Sequence, residues 1–401
     1  MRNMEKLYYT NQYQTKFEAK VIEVKELNNK YHIALDKTAF FPGGGGQCCD
    51  LGKINEKDVL EVYEENEIVY HVISENIDKG SLIKGEINWN RREDGMHQHL
   101  AQHVLSGCFF KLFSANTVSI HLGKEISTVD IIGHLDEDKI KKAEKMANDI
   151  VRQNIMVEFI IPSYDELKNL NLRRDLPNTD KEIRVVKIGD LDINACCGVH
   201  PKSTLDLRLI KIKKYEKNKN NTRIEFLAGK RAIEDSLKND KIIKDICNYL
   251  SSNEEESLNS IKNLKENLEI LLDEKKKNEE ELMKYESEYL LSTCHKEKEL
   301  LIIKKIFQEK SINYIRKLSS KLADKNNIIC LFAIKNKEKS NIIFTCSNNI
   351  ALFNMGELLK ENIKYINGKG GGNKILAQGA GESENLENFL NDVYEKCSAL
   401  F

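Results

Sequence analysis

Two distant segments of this chain place histidine and cysteine at matched four-residue spacings. His99 and His103 form an H-x-x-x-H pattern, and Cys196 and His200 form a C-x-x-x-H pattern far along the sequence. Residues four apart on a helix share one face, with Cβ atoms about 5–6 Å apart, so both histidines can aim at one point. Zn²⁺ prefers imidazole nitrogen and thiolate sulfur. The pattern therefore predicts one zinc ion per chain, and a fold that brings a helix and a distant loop together.

Two neighbouring residues compete with these ligands. His97 has an alanine four residues on, so we expect it beside the site, and the C-x-x-x-H spacing favours Cys196 over Cys197. Four protein ligands would close a tetrahedral structural site, whereas a catalytic zinc needs a position that water or substrate can take. The ligand pattern leaves both kinds of site open.

Length and composition are those of an ordinary globular protein with more than one domain. The chain has 401 residues, 31% of them charged and 40% hydrophobic, which predicts two or three cores. The sequence has no run of about 18 apolar residues, so we expect no membrane span. Its first residues lack the apolar stretch of a signal peptide. Ten scattered cysteines without a stapled framework predict reduced thiols and a cytoplasmic protein.

The charge distribution gives one indication of a nucleic-acid partner. The formal net charge is −1, which by itself does not predict nucleic-acid binding. Residues 208–231, however, contain nine Lys or Arg against two acidic residues. A local basic stripe can bind phosphate groups when the charge of the whole chain is near zero. A solvated surface is the alternative interpretation of this stripe.

Hydrophobic periodicity divides the first half of the chain into two parts. Residues 1–88 carry short β-branched runs separated by turn residues, which predict a small β-barrel interrupted by a glycine-rich loop at 43–46. Residues 89–231 combine helices at 92–113 and 136–154 with three strands, which indicates an α+β domain that holds the zinc. The fold class predicted for the chain is α+β.

The second half begins with a long helical segment. Residues 232–307 lack Gly and Pro, and apolar residues recur there at steps of three and four. Lys275 and Asn278 interrupt this pattern, which favours a helical hairpin or a local bend over one long parallel dimer. A long exposed helical spacer is the alternative. Residues 308–401 return to an α/β pattern that includes a glycine-rich loop at 367–374.

Several stretches resemble the editing domain of alanyl-tRNA synthetase and its free-standing relatives, the AlaX proteins. Residues 36–52, DKTAFFPGGGGQCCDLG, are similar to the family pattern D-x-T-x-F-Y-P-E-G-G-G-Q-x-x-D-x-G. The arginine-led H-x-x-x-H segment, the segment CCGVH at 196–200 and residues 222–232 resemble further parts of that domain. Residues 368–381 resemble the C-terminal domain of the synthetase. The arrangement as a whole is similar to the long form of AlaX.

The resemblance implies a zinc-dependent trans-editing hydrolase that deacylates mischarged tRNA(Ala). The substrate implied is chiefly Ser-tRNA(Ala), with Gly-tRNA(Ala) as a further candidate. A synthetic pocket sized for alanine cannot strongly reject a molecule that only adds a hydroxyl, so a second, hydrolytic site is needed. In that site the zinc either activates water or positions the substrate. The residues implied to face the substrate are Thr38, Gly44, Gly45, Gly46 and Gln47. A glycine-rich turn between two strands is the alternative interpretation of that loop.

The same resemblance implies contacts with tRNA at two places. Basic residues near the zinc would meet phosphates at the acceptor end, and the C-terminal loop would contact the tRNA near its elbow. The residues concerned are Arg91, Arg92, Lys369, Gly370, Gly371, Gly372 and Lys374. Residues 308–401 would therefore form a C-terminal tRNA-binding domain. A homodimer that forms through the spacer or through this domain is a further option.

The sequence departs from the family pattern at positions that bear on the chemistry. Gly43 stands where the family has Glu, and Cys197 and Val199 replace the first Gly and the Thr of C-G-G-T-H. Valine cannot donate the hydrogen bond of a threonine hydroxyl. Two alternatives to the deacylase therefore stay open: a non-catalytic tRNA-binding module with a closed structural zinc, and a zinc hydrolase of another small ester or amide.

Overall fold

The structure is a computed structural model that describes residues 4–174, 176, 182–294, 296–297, 299–350 and 352–399. The chain forms two compact units, Met1–Tyr249 and Leu250–Phe401. Each unit combines helices with sheets in which most neighbouring strands are antiparallel, so the predicted α+β class is confirmed. None of the helices in the described ranges is both long enough and apolar enough to cross a membrane.

The first part of the first unit is a ring of six strands. Its elements are β1 (Glu5–Lys6), α1 (Leu7–Thr10), β2 (Lys16–Leu27), β3 (Lys30–Leu35), β4 (Lys37–Thr38), β5 (Gly52–Ile54), β6 (Lys57–Glu65), β7 (Ile68–Ile73) and β8 (Leu82–Ile87). The strands pair in the order β2-β3-β7-β6-β5-β8, and β8 pairs back onto β2. Asn28 and Asn29 both adopt positive φ in the turn between β2 and β3, which asparagine tolerates. Alternate side chains, such as those of Val21, Ile33 and Ile83, fill the interior.

The glycine-rich loop leaves this ring between β4 and β5. Gly43, Gly44, Gly45 and Gly46 all have positive φ, the region in which a residue without Cβ is free of strain. Gly44 and Gln47 exchange backbone hydrogen bonds of 3.0 Å, which close the loop into a tight turn. The four glycines are therefore required by the backbone path itself.

The remainder of the first unit surrounds one buried helix. Its elements are α2 (Trp89–Phe113), β9 (Thr117–Leu122), β10 (Ser127–Ile132), α3 (Glu137–Arg152), β11 (Val157–Ile160), α4 (Tyr164–Asn169), β12 (Val185–Ile188), β13 (Asp192–Ala195), β14 (Ile210–Asn218), β15 (Asn221–Ala228) and α5 (Lys230–Leu250). The strands form two antiparallel sheets, β14-β15-β10-β9 and β11-β12-β13. Asn88 caps α2 by accepting a hydrogen bond from the Arg91 amide, and Ser114 ends it in the left-handed region.

The core of this region positions the site because α2 runs through it. Leu100, Val104 and Phe109 are fully buried on α2, and they belong to one cluster with residues of α3 and of both sheets. A helix that is buried on nearly every side cannot rotate without opening that core. The two histidines of α2 are therefore held in a fixed direction by packing.

The second unit is built on a six-stranded sheet. Its elements are α6 (Glu254–Thr293), β16 (Lys296–Glu297), β17 (Leu300–Gln308), α7 (Ile312–Ala323), β18 (Ile328–Lys335), β19 (Lys339–Cys346), α8 (Met355–Asn362), β20 (Lys369–Gly372), β21 (Leu376–Glu382) and α9 (Leu386–Ser398). The strand order is β16-β17-β18-β19-β21-β20, with β17 and β18 parallel. One core cluster lies between the sheet and α8 and α9, and another lies between the sheet, α7 and the end of α6.

The helical segment differs from its prediction in two ways. The helix α6 is continuous through Lys275 and Asn278, so a hairpin turn at these residues, one of the two predicted options, is absent. Neither residue prevents helical backbone, and Leu268 and Leu271 stay more than half exposed, as in the alternative of an exposed spacer. The predicted spacer, residues 232–307, is also longer than the helix α6. At one end α5 belongs to the first unit, and at the other end Leu300–Gln308 is a strand of the C-terminal sheet. The lack of Gly and Pro does not distinguish a helix from a β-branched strand.

Candidate metal centre

The four predicted metal ligands come together in the folded chain. His99 and His103 lie one turn apart on α2, and Cys196 and His200 lie in the loop that follows β13. Their ligand atoms all lie within 4.8 Å of one another. The centroids of the three imidazole rings are 4.5–5.2 Å apart. A helix and a distant loop thus converge on one point, as the spacing predicts.

The donor atoms of this cluster fit a zinc ion. Three imidazoles and one thiolate are a donor set that Zn²⁺ takes in tetrahedral sites. Among the described residues, His103 Nε2 is buried without a hydrogen-bond partner, as expected of a nitrogen that faces a cation. Burial alone would raise the pKa of the Cys196 thiol, but the neighbouring imidazoles hold it well below its ordinary value. These imidazoles therefore favour the thiolate form, which is the form that a metal requires.

A buried carboxylate orients His103. The Nδ1–H of His103 donates to Asp192 Oδ2 at 2.8 Å, which leaves Nε2 to face the cluster. Arg173 Nε donates to the other oxygen, Asp192 Oδ1, at 2.7 Å. Burial acts to lower the pKa of His103, but the hydrogen bond to Asp192 and the nearby thiolate raise it to about 9. A cation that binds there would take the place of the proton on Nε2.

Gln47 orients the second histidine. Its Oε1 accepts hydrogen bonds from Val199 N at 3.0 Å and from His99 Nδ1 at 3.1 Å. Because the Val199 amide can only donate, the Gln47 atom between them is the oxygen, and His99 Nδ1 must carry the hydrogen. His99 Nε2 then faces the Cys196 sulfur, 3.4 Å away. Gln47, which the sequence places at the substrate, thus lies behind a metal ligand, and its oxygen is already engaged.

Two residues that sequence reasoning missed hold the metal-binding loop. Arg184 Nη1 donates to the carbonyl oxygens of Cys196 at 3.2 Å and of Gly198 at 2.8 Å. Its guanidinium lies over the rings of Phe159 and Tyr9, at 4.3 and 4.7 Å from the ring centroids. Tyr9 in turn donates its hydroxyl to the Cys197 carbonyl at 2.7 Å. No sequence spacing links Arg184 and Tyr9 to the ligands. Asp192, by contrast, is a carboxylate four residues before Cys196, and this spacing could have predicted a partner for a histidine ligand.

Glycines keep the space around His99 open. A Cβ on Gly198 would lie 2.2 Å from His99 Cε1, so only glycine fits at this position of the metal-binding loop. A Cβ on Gly45 would lie 3.2 Å from the same carbon. The glycine-rich loop therefore passes directly along the edge of the ligand ring. His97 lies outside the cluster, packed against the turn at Gly229.

Thr38 and the two arginines lie in different environments. Thr38 is buried, and its hydroxyl is 2.8 Å from His71 Nε2 and accepts from Phe40 N at 3.1 Å. Arg92 is also buried, where it pairs with Asp50 and donates to two backbone carbonyls. The prediction that Arg92 contacts tRNA is wrong, because a guanidinium with these internal partners cannot reach phosphate. Arg91 lies at the edge of the same region and donates to the Cys49 carbonyl at 2.8 Å.

The basic stripe and the C-terminal loop are both on the surface. Part of the stripe is paired within the protein, since Lys211 and Lys213 both bind Asp235 and Arg223 binds Asp130. These pairs support the alternative of a solvated face for that part. In the second unit, residues 369–372 form the exposed edge strand β20, and Lys374 follows in the turn to β21. All four residues of that strand are exposed.

Comparisons with known proteins agree with this architecture. A family model described as "Threonyl and Alanyl tRNA synthetase second additional domain" matches residues 183–225, and one described as "DHHA1 domain" matches residues 301–399. The "Alanyl-tRNA editing protein AlaX-L" of Pyrococcus horikoshii is 30% identical over 96% of this chain and 96% of that protein. The "Alanyl-tRNA editing protein Aarsd1" of Mus musculus is 31% identical over 62% of this chain and 61% of that protein.

A synthetase also matches most of the chain. The "Alanine--tRNA ligase" of Methanobrevibacter smithii is 28% identical over 96% of this chain, which corresponds to 45% of the ligase. The similarity to the Pyrococcus protein extends over nearly the full length of both chains, and so covers the metal cluster and the C-terminal unit alike. The chain therefore belongs to the family of alanyl-tRNA editing proteins, in the long AlaX form.

Proposed function

We propose that this chain is a trans-editing hydrolase that cleaves the ester bond of mischarged tRNA(Ala). Its substrates are chiefly Ser-tRNA(Ala) and secondly Gly-tRNA(Ala). The observation that carries the proposal is the buried cluster of His99, His103, Cys196 and His200 in a chain that belongs to the alanyl-tRNA editing family. We place the activity in the cytoplasm, where tRNA is charged and used.

The cluster suits ester hydrolysis because its ligands are held from behind. A zinc ion bound there supplies Lewis acidity and can acidify a water molecule to a pKa of about 7. Asp192 and Gln47 fix the rings of His103 and His99, so the ligand nitrogens need not reorganise during the reaction. We assign the backbone amides of the Gly44–Gly46 loop to the ester carbonyl or the terminal adenosine, because that loop passes along His99.

Selectivity for serine requires polar contacts that alanine leaves unsatisfied. Three groups could bind the serine hydroxyl: the metal, Thr38 and Gln47. The Thr38 hydroxyl bonds with His71 and Phe40, and the Gln47 oxygen bonds with His99 and Val199. Since both side chains already serve internal partners, a metal ion held by the four ligands would be the group that binds the serine hydroxyl. A site that binds the hydroxyl in this way rejects the alanyl ester, which would leave it unpaired.

The tRNA contacts are proposed at both ends of the chain. Arg91 near the metal centre would meet phosphate at the acceptor end. The exposed strand β20, with Lys369, Gly370, Gly371 and Gly372, and the adjacent Lys374 would contact the tRNA near its elbow. Once the tRNA is bound at one of these contacts, its effective concentration at the other contact is raised, so the two contacts together bind more tightly than either alone. Self-association through the exposed apolar residues of α6 is a further part of the proposal, which sedimentation of the full chain would test.

The decisive experiment compares two esters of the same tRNA. We expect Ser-tRNA(Ala) to be deacylated at least about 100-fold faster than Ala-tRNA(Ala), since polar recognition supports discrimination of that order. His103→Ala should abolish both metal binding and deacylation, whereas His134→Ala, at an exposed histidine outside the cluster, should leave both unchanged. Equal rates on the two esters, or full activity of His103→Ala, would contradict the proposal.

A second function, a non-catalytic tRNA-binding module, is favoured by one observation. The four ligands are all protein side chains, and such a set can close a tetrahedral site without an exchangeable position. In that case metal removal would weaken tRNA binding, and no aminoacyl ester would be turned over. The ester comparison above therefore distinguishes the two functions directly.

A further inference from the structure

Cys197 lies between a metal ligand and the glycine that packs on His99. It is exposed, whereas its neighbour Cys196 turns inward to the cluster. The Tyr9 hydroxyl holds the Cys197 carbonyl at 2.7 Å, and Arg184 holds the Gly198 carbonyl at 2.8 Å. The backbone is thus fixed from outside, and the direction of the Cys197 Cα–Cβ bond is fixed with it.

The Cys197 sulfur faces the glycine-rich loop. It lies 3.0 Å from the position that a Cβ would take on Gly44, and 3.6 Å from the corresponding position on Gly45. The first distance is tighter than most Cβ contacts, so a side chain on Gly44 would require the sulfur to move by a few tenths of an ångström, and the second is an ordinary van der Waals contact. The sulfur therefore occupies space that the lack of side chains in this loop would otherwise leave open.

The same space borders the metal cluster. The Cβ position of Gly45 is 3.7 Å from His99 Nε2, the nitrogen that faces the Cys196 sulfur. The Cys197 sulfur and this nitrogen thus flank one point beside Gly45. A small group held at the metal and extending along the glycine-rich loop would meet the Cys197 side chain first.

We propose that Cys197 is a specificity-determining residue whose side chain limits the size of the acyl group admitted beside the metal. This inference rests on the proposed function, because it concerns the amino-acid part of the ester. The Cys197 side chain would leave room for the glycyl and seryl groups and would exclude a branched group such as threonyl. Glycine, which stands at this position in the family pattern quoted above, is therefore the informative replacement.

The test uses two variants of the full chain, Cys197→Gly and the near-isosteric Cys197→Ser. The kcat/KM values for Ser-tRNA(Ala) and Thr-tRNA(Ala) are measured for both variants and for the unsubstituted protein. We expect Cys197→Gly to raise the ratio of threonyl to seryl hydrolysis by about 10-fold, the lower range for one added group in a tight pocket. Cys197→Ser should keep the original ratio. Metal content should remain one ion per chain in all three proteins.

A binding measurement tests, without hydrolysis, whether the acyl group lies against the Cys197 side chain. The amide analogue of 3′-seryl-adenosine, in which the ester oxygen is replaced by nitrogen, should slow alkylation of Cys197 by iodoacetamide about 10-fold or more at saturation. Peptide mass spectrometry measures this rate, and the half-buried thiol of Cys294 in the second unit serves as the internal control. Protection of Cys197 alone supports the inference.

The outcomes separate this inference from the function on which it rests. Hydrolysis of Ser-tRNA(Ala) with an unchanged threonyl-to-seryl ratio in Cys197→Gly would overturn the inference and leave the deacylase proposal standing. Alkylation of Cys197 at the same rate with and without the saturating analogue would also overturn it. If the unsubstituted protein hydrolyses none of the aminoacyl esters, both the deacylase proposal and the role of Cys197 are overturned.

Discussion

Among single residues, Asp192 decides which nitrogen of His103 faces the metal cluster. One of its oxygens accepts from His103 Nδ1, and the other accepts from Arg173 and Asn194. Burial opposes ionisation of this carboxyl, but the hydrogen bond to His103 and the nearby guanidinium hold its pKa below the ordinary value. A carboxylate behind a histidine ligand fixes the ring and strengthens its basicity.

Replacing this carboxylate should weaken metal binding. We expect Asp192→Asn to lower the zinc affinity 10- to 100-fold, the usual effect of losing such a partner, because an amide can present NH₂ to His103 and no longer selects one tautomer. Competition with a chromophoric chelator measures the affinity. Asp190→Asn, at an exposed neighbour, is the matched control. An unchanged affinity in Asp192→Asn would show that the tautomer is set by something else.

His71 predicts a pH dependence of stability. Burial lowers its pKa from 6.5 to about 4, against the hydrogen bond from the ring to the Ile33 carbonyl. Below pH 6.5 the unfolded chain binds a proton that the folded chain does not, so the free energy of unfolding falls as pH drops toward 4. Between pH 7 and 4.5 this loss amounts to about 2 kcal/mol.

The contribution of His71 can be isolated by comparison. In urea unfolding, His71→Gln should lose about 2 kcal/mol less between pH 7 and 4.5 than the unsubstituted protein, since glutamine does not titrate there. His134→Gln, at an exposed histidine, should follow the unsubstituted protein. Identical pH profiles for all three proteins would show that His71 is not held neutral by burial.

The sequence revealed the four residues of the His/Cys cluster but not what surrounds them, for a physical reason. The four-residue spacings are local and reflect the geometry of one helix turn and one loop. The contacts of Arg184 and Tyr9 with the metal-binding loop join residues that are distant in sequence and have no shared spacing. Arg92 was misassigned for the same reason, because its partner Asp50 comes from another part of the chain.

Among the elements, helix α3 shows how a local signal fixes a boundary. Asp136 precedes the helix in extended conformation, and its carboxylate accepts from the Lys139 amide at 2.9 Å. We expect Asp136→Ala to lower the free energy of unfolding by about 1 kcal/mol, the typical cost of a lost N-cap. Urea unfolding measures this change. Lys142→Ala, at an exposed position of the same helix, should change stability by less than about 0.5 kcal/mol. Equal effects of the two substitutions would show that the Asp136 side chain does not stabilise α3 as an N-cap.

Helices with caps and periodic faces were predictable, and one strand was not. The helices predicted at 92–113 and 136–154 are observed as Trp89–Phe113 and Glu137–Arg152. The strand Leu300–Gln308 was assigned to the helical spacer, because a short apolar run fits a buried strand and a helix equally well. Its neighbour in the sheet, the strand Ile328–Lys335, lies beyond α7, so only the tertiary pairing decides the assignment.

For the whole molecule, the proposal requires that the C-terminal unit adds affinity for tRNA without taking part in the chemistry. Lys369 and Lys374 flank an edge strand of exposed glycines, where a phosphate backbone can approach closely. Each lysine that contacts a phosphate contributes counterion release and so a salt-dependent part of the affinity. These residues should therefore change binding of the whole tRNA and leave the metal centre unaffected.

The double substitution Lys369→Ala and Lys374→Ala tests this division of roles. Affinity for tRNA(Ala) should fall at 100 mM salt, and the slope of log K against log salt should decrease by about 1 to 2. Hydrolysis of a seryl ester on a short acceptor-stem helix, which lacks the elbow, should be unchanged. Lys360→Ala, at an exposed lysine of α8, is the control of equal charge type. If the double variant lost activity on the short helix as well, the lysines would act at the metal centre or on the fold, and the separate elbow contact would be wrong.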